Sequence, residues 1–297
     1  MRIGSTEIVA TFAEAFTLRF ARLVVTAHDE HWLAAATTSF CGYGTSVIGC
    51  DAEAGVERVL DPAETPDGRP GAAVLAFSFS AEGVGKAVAN RAAQCLLTCP
   101  TTAVFDGLRD SPDRLPLGGH VRFFGDGFEK ANIVGGRRLW RVPVMDGELL
   151  AEETVGVAKG VGGGNFIVQG RSLRATLDAA RRAVAAIADV PGTITPFPGG
   201  VVRSGSQVGS RYQALRASTN EAFCPALVGR VETQLAPEVA CALEIVIDGV
   251  DPPSVAAAMA AGIRAAVGPE IPAISAGNYG GKLGKHHFQL RDVLAAT

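Results

Sequence analysis

The stretch Val239-Ala240-Cys241-Ala242-Leu243-Glu244-Ile245-Val246-Ile247 is an apolar run between Pro237 and Asp248-Gly249, interrupted by one carboxylate. Valine, isoleucine and leucine at this density, bounded by turn residues, read as a buried strand. Working outward, Asp251-Pro252-Pro253 opens a helix over residues 254–267, with proline in the first turn where its missing N–H does no harm. Gly268-Pro269 ends that helix, and residues 273–275 form another strand. The same order recurs in residues 71–105: a strand over 72–80, a helix over 81–97 capped by Ser80, a Cys99-Pro100 break, and a strand over 101–105. Two such segments in 297 residues imply two similar lobes, not a solenoid of many short units.

The remaining elements complete each lobe. In the first, a strand over 17–27, a helix over 29–40 opening at Asp29, and a short strand over 45–50 precede the 72–105 segment. A hairpin of residues 121–127 and 138–144 is appended, and Met145-Asp146-Gly147-Glu148 is the seam. In the second, residues 153–160 with 165–169 give a strand or bent hairpin. A helix over 172–188 capped by Ser172 follows, then a strand over 192–204 broken by Pro196 and Pro198. Residues 273–275 and 287–290 are the closing strands. The expectation is an α+β chain of two ferredoxin-like (β-α-β-β-α-β) lobes, antiparallel sheets flanked by helices, over residues 1–147 and 148–297.

Charge is sparse and nearly balanced, with a formal net charge of −3, so neither a nucleic-acid face nor a disordered tail is expected. Arg2, Glu7, Glu14 and Arg19 leave no apolar core for a secretory signal, and the uncharged run 31–50 is too polar to span a membrane. A cytoplasmic protein is expected. The six cysteines are scattered, without a disulfide framework. Cys95 and Cys99 lack a second ligand pair, so no metal site is expected.

Several motifs fail on inspection. Gly277-Asn278-Tyr279-Gly280-Gly281-Lys282-Leu283 has a misplaced first glycine for a phosphate-binding loop, and Leu283 stands where the magnesium ligand belongs. Gly42-Tyr43-Gly44 lacks the third glycine of a dinucleotide fingerprint. No nucleophile elbow exists, and His286-His287 point to opposite faces of a strand. Four glycine-rich or small polar loops remain: residues 162–166, 196–200, 218–221 and 276–281. Taken singly they are ordinary turns; together, around the Glu244 strand, they outline a cleft whose backbone N–H groups could hold an oxyanion, with Asn165 or Asn278 as side-chain candidates. For Glu244 two readings stand: a carboxylate facing solvent or in a structural ion pair, or one whose pKa burial raises, suited to acid/base work.

The chain also resembles a known family along nearly its whole length. The matching residues include Thr11-Phe12-Ala13-Glu14-Ala15-Phe16, Gly42-Tyr43-Gly44-Thr45-Ser46-Val47-Ile48, Asp51-Ala52-Glu53-Ala54-Gly55 and Glu64-Thr65-Pro66-Asp67-Gly68-Arg69-Pro70-Gly71. Further on they include Phe123-Phe124-Gly125-Asp126-Gly127, Gly163-Gly164-Asn165-Phe166, Pro196-Phe197-Pro198-Gly199-Gly200-Val201-Val202 and Ala217-Ser218-Thr219-Asn220. Glu244-Ile245-Val246-Ile247 and Ser275-Ala276-Gly277-Asn278-Tyr279-Gly280-Gly281-Lys282-Leu283-Gly284 complete the set. These are similar to the formylmethanofuran:tetrahydromethanopterin formyltransferases.

The resemblance implies an acyltransferase of one-carbon metabolism, moving a formyl group between N5 of tetrahydromethanopterin and the amine of a methanofuran-type carrier. It implies no tightly bound cofactor, both carriers as substrates, and Glu244 as the acid/base. Substrate-binding residues would be Gly164, Asn165, Phe166, Pro198, Gly199, Gly200, Ser218, Thr219, Asn220, Asn278, Tyr279, Gly280 and Gly281. Arg211, Arg216 and Lys282, with Arg203 and Lys285 nearby, could receive the anionic carrier tail. The resemblance also implies a homo-oligomer, usually a tetramer in the family. The alanine-rich helices and Arg171, Arg174, Arg181 and Arg182 resemble its bacterial members, subunits of a formyltransferase/hydrolase complex. The rival expectation is a non-catalytic scaffold that binds a carrier for such a complex.

Overall fold

A computed structural model describes residues 1–295 of the chain. Among the described residues, six α-helices and mixed β-sheets make an α+β fold in two compact units. One runs from Leu18 to Lys159; the other joins Met1–Thr17 to the chain from Gly160 onward.

In the first of these, Gly71–Ser78 pairs antiparallel with Glu53–Leu60 on one side and with the long strand Phe12–Thr26 on the other. Ala103–Asp106 pairs antiparallel with the far edge of Phe12–Thr26, and helices Glu30–Cys41 and Ala81–Arg91 fall between the strands in sequence. The spatial order is therefore second, third, first, fourth. The unit holding Gly160 repeats it. Cys241–Gly249 lies between Thr193–Ile194 and Ala158–Gly170, and Ala273–Ser275 takes the other edge of Ala158–Gly170, all antiparallel. Helices Leu173–Ala188 and Pro252–Ala266 connect them. Each fourth strand gains a parallel neighbour, Gly147–Glu152 beside Ala103–Asp106 and Thr6–Ile8 beside Ala273–Ser275.

Four helices begin where the sequence placed them. Asp29, Ser80, Ser172 and Asp251 each accept a hydrogen bond from a first-turn N–H, of Trp32, Gly83, Ala175 and Ser254 respectively, at 2.8–3.2 Å. Each cap satisfies an N–H that the helix itself cannot pair.

Other expectations are corrected. Residues 45–50 form turns, and the strand of that region is Glu53–Leu60, inside what read as a connection. Residues 121–125 are helical, not a strand: Gly118–Val121 continues into a tight turn, Arg122–Gly125, which Asp126 ends in the left-handed conformation. The Arg122 guanidinium stacks on Phe123 and Trp140 at 4.2 and 4.7 Å, and Lys130–Val134 becomes the hairpin partner of Arg137–Val144. Residues 158–170 are one strand with a bulge between Val161 and Gly164. Of residues 192–204, Thr193–Ile194 alone forms a strand, and Pro198 starts a short helical turn, because proline offers the ladder no donor. Residues 145–148 form the turn of the hairpin joining Arg137–Val144 to Gly147–Glu152.

The Glu244 strand has two unlike faces, because successive side chains point opposite ways. Leu243, Ile245 and Ile247 join Phe166, Val168, Val255, Met259 and Ile263 in one buried cluster against the two helices. That packing is close. A Cβ on Gly164 would lie 2.3 Å from Val255 Cγ1, and one on Gly262 would lie 2.8 Å from Phe166 Cζ. Gly164→Ala should destabilise the fold by about 1–3 kcal/mol through overpacking, measured by chemical denaturation; an unchanged midpoint would show that the helix can slide away at no cost.

Candidate active site

Glu244 points from the other face, away from the helices. It is 2 % exposed, and neither carboxylate oxygen makes a hydrogen bond of ordinary geometry. The segment after the Pro198 turn lies along its strand: the Val202 N–H donates to Glu244 O at 2.8 Å. This contact brings Ser206 to the carboxylate. Burial raises the Glu244 pKa to about 7, against the opposing pull of the Ser206 hydroxyl and N–H. Desolvation wins because removing a charge from water outweighs one weakly placed donor pair.

A cleft of about 460 Å³ opens beside it, with Ser206, Asn220, Glu221, Glu232, Gly277 and Tyr279 on its walls. Gly277 stands directly over the carboxylate, since a Cβ there would lie 3.5 Å from Glu244 Oε1. Asn165 fixes Gly277 at both ends: its Oδ1 accepts from the Gly277 N–H at 2.6 Å, and its Nδ2 donates to the oxygens of Gly277 and Gly163 at 3.1 Å.

The loop after Gly277 is organised by a second carboxylate. Glu14 is 1 % exposed. Its Oε2 accepts from the N–H groups of Tyr279 and Gly281 at 2.7 and 2.8 Å, and its Oε1 from those of Leu283 and Gly284 at 2.6 Å each. Burial alone would push its pKa up; the N–H donors of Gly284, Tyr279, Leu283 and Gly281 outweigh burial and hold it below the usual carboxylate range. The stretch that resembles a phosphate-binding loop is thus a nest of N–H groups filled by the protein's own anion. Asn278 closes it, donating from Nδ2 to Thr11 Oγ1 and Phe12 O at 3.2 Å and accepting at Oδ1 from the Gly280 N–H at 3.1 Å.

The structure gathers some of the expected residues and not others. Asn220, Asn278 and Tyr279 line the cleft near Glu244. Gly164 and Phe166 instead lie in the helix-facing core, Phe166 fully buried. Gly199 and Gly200 shape a turn with φ of 61° and 75° after Pro198. Ser218 pairs with Gln207 in a short ladder, and Thr219 is exposed. Gly280 and Gly281 take φ of 71° and 73° in the Glu14 nest. Arg203, Arg211, Arg216, Lys282 and Lys285 are all exposed, Arg211 reaching Glu221 at 3.6 Å. Both side-chain oxyanion candidates have their amides committed within the protein, Asn165 to Gly163 and Gly277 and Asn278 to Thr11 and Phe12, as four loop N–H groups are to Glu14. Sequence reasoning missed Ser206 and the role of Glu14. The signal for Glu14 was present: a carboxylate between Ala13 and Ala15 in a strand is as odd as one between Leu243 and Ile245.

A lone buried carboxylate beside a cleft is the equipment of general acid/base chemistry on a bound substrate. Residues 1–144 match the family model described as formylmethanofuran-tetrahydromethanopterin formyltransferase, and residues 147–293 match the model of that family's proximal lobe; the chain belongs to this family. It is 51 % identical over 299 residues to the formylmethanofuran–tetrahydromethanopterin formyltransferase of Methylococcus capsulatus, covering 99 % of this chain and 100 % of the relative. The solved formyltransferase of Methanosarcina barkeri superimposes with a TM-score of 0.93 at 47 % identity, covering 99 % of this chain and 100 % of that one. A chain of the formyltransferase/hydrolase complex of Methylorubrum extorquens, solved with methylofuran, gives a TM-score of 0.94 at 46 % identity, with 99 % and 98 % covered.

The Glu244 shift has a consequence for stability. A carboxyl whose folded pKa is about 7 and whose unfolded pKa is near 4.5 binds more protons folded than unfolded between those values. Stability tied to it is present below the unfolded pKa and lost as pH rises through 7. Between pH 4 and 8, Glu244→Gln should therefore gain about 3 kcal/mol of stability relative to the wild type. Denaturant unfolding of both proteins at the two pH values measures the gain; a constant difference would mean that Glu244 ionises normally.

Proposed function

We propose that this chain transfers a formyl group directly between N5 of tetrahydromethanopterin and the amine of a methanofuran-type carrier, with Glu244 as the general acid/base. The observation that carries the mechanism is the buried Glu244 carboxylate beneath the cleft, without a strong partner; burial raises its pKa to about 7. The acceptor amine attacks the formyl carbon and forms the new C–N bond. Its proton passes to the Glu244 carboxylate and then to the departing nitrogen as the old C–N bond breaks. One group whose pKa lies near neutrality serves both directions. No enzyme-bound acyl intermediate is formed.

In this reading the two units are ferredoxin-like lobes, supported by the strand order that both share. The chain works in the cytoplasm without a tightly bound cofactor, as a homo-oligomer or as the formyltransferase subunit of a formyltransferase/hydrolase complex. The relative solved with methylofuran supports the second arrangement. The carrier's anionic tail runs outward over Arg211 and Arg216, which lie on the exposed loop leading to the cleft residue Asn220.

Assaying the purified chain with both carriers separates an enzyme from a carrier-binding scaffold, which would give no transfer without partners. Glu244→Gln should lower the transfer rate by about a hundredfold to ten-thousandfold with native folding; transfer near the wild-type rate would remove Glu244 from the chemistry. Replacing Arg211 and Arg216 together with alanine should raise the Michaelis constant for the carrier and flatten its dependence on salt. An unchanged constant would place the tail elsewhere.

A further inference from the structure

Several donors around the cleft are committed within the protein. Four loop N–H groups go to Glu14, the Gly277 N–H goes to Asn165, and the Asn278 amide goes to Thr11 and Phe12. Ser206 addresses Glu244. Tyr279 lines the same cleft, and among the described residues no hydrogen bond engages its hydroxyl, nor the side-chain amides of Gln207, Asn220 and Gln234. Tyr279 is nonetheless held firmly. The Tyr279 N–H donates to Glu14 Oε2 at 2.7 Å, and its ring lies 6.3 Å from that of Phe16 at 43°.

We infer that the Tyr279 hydroxyl is a catalytic hydrogen-bond donor to the oxygen of the transferred formyl group, and that Glu14 is the positioning residue that holds it there. The inference rests on the cleft being the site of formyl transfer. As the amine adds to the formyl carbon, the carbonyl π pair moves onto oxygen, and the phenol donates a hydrogen bond to that oxyanion while keeping its own proton. When the pair returns, the C–N bond to the departing nitrogen breaks and the phenol is unchanged. Glu244 gains a proton from the attacking amine in the same interval, so it loses its charge as the oxygen acquires one. Burial first, then the charges of Glu244 and Glu14, push the Tyr279 pKa up to about 12, which keeps the phenol protonated as a donor. A donor fixed before reaction needs no reorganisation when charge develops, which is why such donors are effective.

Tyr279→Phe removes a hydroxyl that nothing in the protein uses, so the fold and Tm should be retained. Its kcat should fall about a hundredfold to a thousandfold with little change in KM; a wild-type kcat overturns the donor role. Glu14→Gln cannot match four N–H donors with two carboxylate oxygens, and it should lower kcat in the same direction. Because Glu14 acts through Tyr279, the double variant should be no slower than the slower single one. Multiplicative losses would make Glu14 structural only. If Glu14→Gln yields no soluble protein, Glu14→Asp takes its place in the same cycle. Glu244→Gln assayed in parallel separates the two readings: full activity there defeats the acid/base assignment, whereas full activity in Tyr279→Phe defeats only this inference.

Discussion

Four backbone N–H groups converge on the Glu14 carboxylate, and the shape of the cleft depends on that contact. A glycine-rich loop has little conformational preference of its own, so residues 277–284 need an external template. A buried anion supplies one. It turns four donors inward, leaves the Tyr279 side chain at the cleft, and lets Asn165 and Asn278 pin the loop's first residues. The loop is tied down by hydrogen bonds where it must carry a side chain, although its sequence reads as flexible.

The same unit buries two glutamates in opposite electrostatic settings. Glu14 has four donors and keeps its charge; Glu244 has only a weak pair at Ser206, and burial dominates. Neither behaviour follows from burial alone, since both residues are almost inaccessible. The number of donors decides, because hydrogen bonds to the charged form offset the desolvation that penalises it. Pairs of like groups driven apart in this way mark sites where protons are handled.

Much of the fold was legible in the sequence because it rests on local signals. Apolar runs located strands 71–78, 241–249 and 273–275, and side-chain caps located four helix starts. The errors lie where local signals give way to tertiary ones. Phe123 and Phe124 suggested a strand, but Arg122 stacking on Trp140 and a left-handed Asp126 favour a helical turn. The site was legible to the extent that its chemistry is odd in sequence: Glu244 stood out, and the 276–281 loop did reach the cleft. Gly164 and Phe166 misled because they share a strand with Asn165 but face the helices. Glu14 is bonded to residues about 270 positions away, a distance that no local pattern reveals.

That separation also sets an order of events during synthesis. The compact unit that holds the cleft includes residues 1–17, which are made well before the loop that receives Glu14. At about 5–20 residues per second, the 265 positions between Glu14 and Tyr279 take roughly 10 to 50 s to translate. Within that interval the intervening unit, Leu18–Lys159, is completed and can fold before the partners of Glu14 have been made. The cleft therefore closes only once that loop has been made, and a chain truncated before Gly277 would contain both glutamates and no site.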